Sequence, residues 1–123
     1  IGVVSRRISR ADRAAEIASA MAITRCGHLR KRSFSELSGG EKQKVSLARC
    51  IAQSGEILLL DEPCASLDPE SKAEILSILE EINERLGTTV VMVSHDEETR
   101  TRDGWIRRHM EKGRILESLE VDR

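Results

Sequence analysis

Side chains that can do chemistry follow two apolar runs of the sequence, at the point where each run ends. Asp61 and Glu62 come directly after Ile57–Leu60, and His95 comes shortly after Thr88–Val93. Paired carboxylates after a buried strand suit a magnesium nucleotide, because one carboxylate can hold the hard cation while the other orients a water molecule. The alternative is that these polar residues only end two strands and carry no chemistry.

A second candidate site is the turn Leu37-Ser38-Gly39-Gly40-Glu41. Ser38 and Glu41 have the spacing of a capping box, so the turn predicts the start of a helix. Backbone N–H groups at a helix start have no carbonyl partner within the helix, and here they predict a site that suits a phosphate. Most turns of this kind are only helix caps, so the turn indicates phosphate binding only in combination with the acids and the histidine.

Helices and strands with regular apolar spacing must position these residues. Residues 11–25 predict an amphipathic helix, a second helix follows Ser38 and ends at Gly55, and a third begins at Asp68-Pro69 and ends at Gly87.

The two apolar runs predict parallel strands, the first of them covered on both faces. Strand, helix and strand in this order predict a right-handed βαβ unit. Ligands of open α/β sheets bind beyond the carboxyl ends of the strands, which is where Asp61, Glu62 and His95 would meet.

Length and composition limit what the chain can be. Its 123 residues allow one small domain or part of a larger one. No apolar run is long enough for a membrane span and no signal peptide is evident, so the composition predicts a soluble, cytosolic chain with reduced cysteines. The basic run at 30–32 is interpreted as a solvated face. Phe34 and Trp105 are the only aromatic residues besides histidine, so no nucleic-acid partner is expected.

The motifs together resemble the nucleotide-binding domain of ABC ATPases. Leu37–Glu41, Ile57–Pro63, Ser66-Leu67-Asp68 and Ser94-His95-Asp96 occur in the order and at the spacing of that family, over about residues 36–96. The resemblance implies an α/β fold, a partial P-loop NTPase. Residues 1–37 would be part of the helical subdomain, and residues 38–123 the C-terminal part of the catalytic core with its parallel-sheet βαβ unit.

The resemblance also implies ATP and Mg²⁺ as cofactors and a role for each matching residue. Asp61 would hold the metal ion, Glu62 would polarise the attacking water, and His95 would contact the γ-phosphate. The other nucleotide-binding residues would be those of the signature loop and the end of the D-loop: Ser38, Gly39, Gly40, Glu41 and Asp68. Glu41 replaces the glutamine that is most common at its position.

The sequence also departs from the family in features larger than a single residue. It contains no Gly-x-x-x-x-Gly-Lys-Ser/Thr phosphate loop and no evident Q-loop, and it begins with Ile1. We therefore expect it to be the C-terminal portion of an ABC domain. Trp105–Met110 stands where the family has an apolar strand, so this edge is either exposed or degenerate, and His109 is expected at the surface. Glu111–Ile115 matches the turn that follows.

The function expected from this resemblance is that of an ATP-hydrolysing subunit of an ABC transporter, peripheral at the cytoplasmic face of the membrane. It would act in a head-to-tail dimer with a second nucleotide-binding domain, whose ATP the signature loop contacts in trans, and with a transmembrane permease subunit. Two alternatives remain open. One is a non-transport ABC ATPase of DNA repair, translation or iron–sulphur assembly, and the other is a non-catalytic fragment that only pairs with other chains.

Overall fold

The computed structural model describes residues 9–53 and 55–116 as a mixed α/β structure. Its elements in chain order are α1 (Arg10–Ile23), α2 (Gly39–Ala52), β1 (Ile57–Asp61), α3 (Pro69–Leu86), β2 (Thr89–Val93), α4 (Glu97–Thr101), β3 (His109–Glu111) and β4 (Arg114–Leu116). Two short 3₁₀ turns, Gly27–Leu29 and Phe34–Glu36, connect α1 to α2.

The strands β1 and β2 pair in parallel, as the apolar runs predict. The register places Ile57 opposite Thr89 and Asp61 opposite Val93, and α3 connects the two strands. Both strands therefore end at the same edge of the sheet.

The prediction that the first strand is covered on both faces is wrong for the described part of the chain. Leu58 is buried, and Leu60 packs against the same core. Leu59, however, is 74% exposed, and Val91 on β2 is half exposed. The reason is that α3 packs on only one side of the sheet, since successive side chains of a strand point to opposite faces.

Helix boundaries follow the capping residues. Asp68 caps α3, and Gly87 ends it in the left-handed conformation with φ of +67°. The prediction that Gly55 ends the second helix is wrong. Helix α2 ends at Ala52, because the N–H of Gln53 already bonds to the carbonyls of Cys50 and Ile51 and closes the last turn.

Two apolar clusters hold the structure together. The larger one is built around five fully buried side chains of α3: Ile75, Leu76, Ile78, Leu79 and Ile82. The smaller one joins α1 to α2 through Ala20, Leu37 and Ala48. This smaller cluster contains residues from both sides of the proposed domain boundary between residues 37 and 38. The boundary itself stays a prediction.

The segment after α4 forms an exposed hairpin instead of a long apolar strand. Only His109–Glu111 of this region is a strand, and it pairs antiparallel with β4 through a turn at Lys112 and Gly113. Ile106 is 83% exposed and His109 is exposed as well. The surface position expected for His109 and the expected turn are therefore confirmed. Exposure does not distinguish between the two alternatives for Trp105–Met110, because residues 105–108 form no strand. No helix in the described ranges is both long and apolar enough to cross a membrane.

Candidate functional site

Glu62 and His95 meet at the carboxyl edge of the sheet. The N–H of Glu62 donates to the carbonyl of Val93 (N···O 2.9 Å), which joins the two strand ends. The backbone N–H of His95 donates to Oε1 of Glu62 (3.0 Å), and the ring Nδ1 of His95 contacts the same oxygen. An acid and a histidine that are 33 residues apart in sequence thus form one pair.

The backbone of Glu62 is strained. Its φ of +49° lies in the left-handed region, which costs a non-glycine residue about 1–2 kcal/mol. Ser66, in the same loop, has φ of +62°. Such outliers persist only where surrounding contacts hold them, and here the bonds to Val93 and His95 do so.

The pair is open to solvent on the histidine side. The His95 side chain is 89% exposed, whereas that of Glu62 is 32% exposed. A ligand can therefore reach the imidazole while the strand ends hold the carboxylate in place.

Asp61 is the exposed last residue of β1. The described ranges contain no group of three or more His, Cys, Asp and Glu side chains that could hold a metal ion. Mg²⁺ is usually bound by only one or two carboxylates, together with substrate phosphates and waters. A single carboxylate thus fits a magnesium ion that arrives with a nucleotide, and it does not fit a metal site made of protein alone.

The turn before α2 is a complete capping box, as its sequence predicts. Glu41 N–H donates to Ser38 Oγ (3.2 Å), and Ser38 N–H donates to Glu41 Oε1 (3.0 Å). The bond from the Ser38 backbone lowers the pKa of Glu41 below its usual value, so the carboxylate is ionised at neutral pH. Gly39 and Gly40 are the first two residues of the helix, and N–H groups at a helix start have no carbonyl partner within the helix.

Gly40 is buried against the start of α3. A Cβ atom at this position would lie 2.9 Å from Oγ of Ser71, so only glycine fits without a shift. Ser71 is held in turn, because its Oγ donates to Asp68 Oδ1 (2.6 Å). The bonds from Ser71 lower the pKa of Asp68, the N-cap of α3. The candidate D-loop residue and the glycine turn are thus neighbours.

Sequence reasoning missed two residues that contact this site. Ser71 packs on Gly40, and Lys72 forms an ion pair with Asp96, the residue after His95 (Nζ···Oδ1 3.2 Å). Neither contact can be recognised from the spacing of residues in the sequence, because each joins residues that are distant along the chain.

This geometry defines a class of protein. An acid and a histidine lie beyond the ends of two parallel strands, which is where ligands of open α/β sheets bind, and a capped helix start with two glycines contacts α3.

The family follows from comparison with known proteins. Residues 3–65 match the sequence profile of the family described as "ABC transporter". The chain therefore belongs to the ABC transporter family.

Curated relatives support the same assignment. The chain is 42% identical over 91 residues to the methionine import ATP-binding protein MetN of Bordetella pertussis, over 74% of this chain and 25% of that protein. It is 42% identical over 115 residues to the molybdenum import ATP-binding protein ModC of Pseudomonas aeruginosa, over 92% of this chain and 31% of that protein. The chain thus spans only about a quarter to a third of these relatives.

Solved structures of ABC cassettes share the fold. CbiO1 of Clostridium perfringens, part of the ABC transporter complex cbiONQ, has a TM-score of 0.71 and 32% identity, over 77% of this chain and 38% of that one. The dimeric bacterial ABC transporter cassette MJ0796 has a TM-score of 0.63 and 29% identity, over 76% of this chain and 41% of that one. These comparisons confirm the partial P-loop NTPase fold, and none of them supports the non-transport alternative.

Proposed function

We propose that this chain is part of the nucleotide-binding domain in the ATP-binding subunit of an ABC importer, which hydrolyses ATP once the domain is complete and dimeric. The contact between Glu62 and His95 at the sheet edge carries the proposal. The import relatives add support for transport, and the dimeric MJ0796 cassette adds support for a second nucleotide-binding domain as partner. The subunit would bind a transmembrane permease subunit at the cytoplasmic face of the membrane.

Glu62 and His95 would act on the terminal phosphate. His95 makes both of its contacts with Oε1 of Glu62, so Oε2 is the oxygen available to polarise an attacking water. The exposed imidazole of His95 would contact the γ-phosphate. The bonds between His95 and Glu62 hold the carboxylate before substrate binds, which reduces the reorganisation that the reaction requires.

Asp61 would hold Mg²⁺ that arrives bound to ATP. The ion would neutralise charge on the phosphates, as it does in phosphoryl transfer generally. The exposed position of Asp61 at the end of β1 leaves room for the waters and phosphate oxygens that Mg²⁺ keeps as ligands.

The glycine turn would act on ATP held by the partner domain. Ser38 Oγ accepts the N–H of Glu41, which leaves its own O–H free to donate to a phosphate together with the amides of Gly39 and Gly40. Glu41 and Asp68 would shape this surface through their capping bonds at the starts of α2 and α3.

A chimeric cassette tests the proposal. The part of this chain that aligns with the molybdenum import ATP-binding protein ModC of Pseudomonas aeruginosa, over 115 residues, replaces the corresponding segment of that protein. ATP turnover and Mg²⁺-dependent ATP binding are then measured. We expect Glu62→Gln to lower kcat by about 10²–10⁴-fold with ATP binding nearly intact. We expect Asp61→Asn to weaken Mg²⁺-dependent binding instead.

A second measurement on the same chimera tests the turn. Size-exclusion chromatography with ATP should show that the Glu62→Gln variant accumulates as a dimer and that adding Ser38→Arg abolishes this dimer. Glu84→Gln, which changes an exposed glutamate, serves as the charge-matched control. It should change neither ATP turnover nor the ATP-dependent formation of the dimer. Wild-type turnover in the Glu62→Gln variant, or equal modest effects of both acid substitutions, would contradict the proposed roles.

A further inference from the structure

The first turn of α3 contacts the segment that carries His95. Lys72 Nζ lies 3.2 Å from Oδ1 of Asp96, and both side chains are about three-quarters buried, with 22% and 25% exposed. This pair joins α3 to the residue next to His95, although neither of its members touches Glu62.

Asp96 stands at the N-cap of α4 without capping it. Its side chain makes no regular capping hydrogen bond, although the backbone N–H of Thr99 lies close enough to contribute, as the smallest cause, to the lowered pKa of Asp96. It accepts bonds from Lys72 at Oδ1 and from the hydroxyl of Thr99 at Oδ2 (3.1 Å). An aspartate at this position normally accepts from the free amides of the helix. Here the carboxylate of Asp96 bonds to Lys72 and to the Thr99 hydroxyl instead. The bond from Lys72 is also the main reason why the pKa of Asp96 is lowered.

The orientation of Asp96 limits the position of His95, because the two residues share a peptide unit. The backbone N–H of His95 must point at Glu62 to donate to Oε1, and the N–H of Asp96 donates to Ser94 Oγ (3.1 Å). If the pair with Lys72 broke, the Asp96 side chain would no longer anchor this short segment to α3, and the backbone that carries the His95 N–H would be less restrained.

We infer that Lys72 is a positioning residue: through its ion pair with Asp96 it holds His95 against Glu62. The expected effect of Lys72 on catalysis rests on the proposed function. Its effect on the position of His95 rests on the contacts alone. The inferred role of Lys72 requires no contact with the nucleotide or with the reacting atoms.

The test compares two lysines of similar charge and burial. Lys72→Gln breaks the pair with Asp96. The control Lys44→Gln breaks the ion pair between Lys44 of α2 and Glu74 of α3 (2.7 Å), which lies away from Asp96 in sequence and contacts. Lys72→Arg keeps the charge and serves as the rescue variant.

The first readout is hydrogen exchange of the His95 amide in the full chain without nucleotide, resolved to single residues by mass spectrometry. We expect Lys72→Gln to speed exchange about fivefold, the effect of losing a modest ion pair. Lys44→Gln and Lys72→Arg should stay within about twofold of the wild type. Equal exchange in the two glutamine variants, or an arginine variant as unprotected as Lys72→Gln, would overturn the inference.

The second readout is the kinetics of the chimeric cassette. Lys72→Gln should lower kcat while the KM for ATP changes less than about twofold, because the interaction that it disturbs acts on the reacting groups. Equal losses from Lys72→Gln and Lys44→Gln would show a merely structural role and overturn the inference. A wild-type chimera without turnover would contradict the proposed function alone, since hydrogen exchange still tests the position of His95.

Discussion

At the scale of single residues, close contacts explain why certain residue types stand where they do. Glu62 adopts a left-handed backbone that suits glycine better, and it does so where its carboxylate meets His95. Gly40 has helical neighbours on one side and Ser71 on the other, and no side chain fits between. At Glu62 the backbone conformation is unfavourable for a glutamate, and at Gly40 the close contact requires a residue that is unfavourable in a helix. Such locally unfavourable positions are typical of functional sites.

Gly40 offers a test at this scale. Gly40→Ala should lower the free energy of unfolding by about 1–3 kcal/mol, because the new Cβ would lie 2.9 Å from Ser71 Oγ. Ser71 cannot simply rotate away, since its hydroxyl is bonded to Asp68. Thermal or chemical unfolding measures the effect.

Gly27→Ala is the control, because a Cβ there meets nothing within 4 Å. It should change stability by less than about 0.5 kcal/mol. Adding Ser71→Gly to Gly40→Ala should restore part of the loss. Equal stability of the two alanine variants would contradict the close contact.

At the scale of elements, polar contacts attach the irregular segment after α4 to the core. Glu80 on α3 accepts bonds from Arg102 and from the indole N–H of Trp105 (Nε1···Oε1 3.0 Å). The bond from Arg102 is the main cause that lowers the pKa of Glu80 below its usual value of 4.5. Trp105 also packs against the larger apolar cluster, so these bonds and this apolar contact attach the segment together.

The lowered pKa of Glu80 predicts that its contribution to the free energy of unfolding depends on pH. Since its pKa is lower in the folded chain, the stabilisation is complete above pH 4.5 and is lost as the pH falls through the folded-state pKa. Glu80→Gln should lower the free energy of unfolding by about 1 kcal/mol at pH 7, and this difference should shrink below pH 4.5. The fluorescence of Trp105, the only tryptophan, reports the attachment.

The control for this prediction is Glu84→Gln, which changes an exposed glutamate of the same helix. It should alter neither the pH dependence of the free energy of unfolding nor the fluorescence emission of Trp105. If the free energies of unfolding of the wild type and Glu80→Gln differed by the same amount from pH 3 to pH 7, the charge of the carboxylate would not contribute to stability.

At the scale of the whole molecule, one face of the sheet is left exposed. Its large apolar side chains are Ile57, Leu59, Val91 and Val93, each at least half exposed. An apolar patch of this kind favours association.

We expect the isolated chain to self-associate through this face. Leu59→Lys should weaken association about tenfold or more, since burying a leucine side chain is worth about 1.5–3 kcal/mol. The control is Ile106→Lys, because Ile106 is 83% exposed but lies away from the sheet in the segment after α4. Sedimentation velocity measures the effect, and a monodisperse wild-type monomer with a sharp melt would contradict the prediction.

The isolated chain should also fail to hydrolyse ATP. It contains no phosphate loop whose backbone and lysine would hold the β- and γ-phosphates, so Asp61 and Glu62 have no nucleotide to act on. Phosphate release by the purified chain should equal that of its Glu62→Gln variant. A rate above that control would show that the described residues suffice for catalysis.

Local chemistry made much of this protein predictable from its sequence. The capping box at Ser38, the start of α3 at Asp68 and its end at Gly87 depend on neighbours within a few residues, so the sequence determines them. The apolar runs determined two parallel strands, and their shared edge brought Glu62 and His95 together.

Tertiary structure decided what depends on contacts between distant segments. That Ser71 fills the space beside Gly40, that Lys72 holds Asp96, and that one sheet face stays exposed follow from how α2, α3 and β2 pack. An apolar strand has the same sequence pattern whether one face or both are covered, because the pattern records the side chains and not the elements that pack on them.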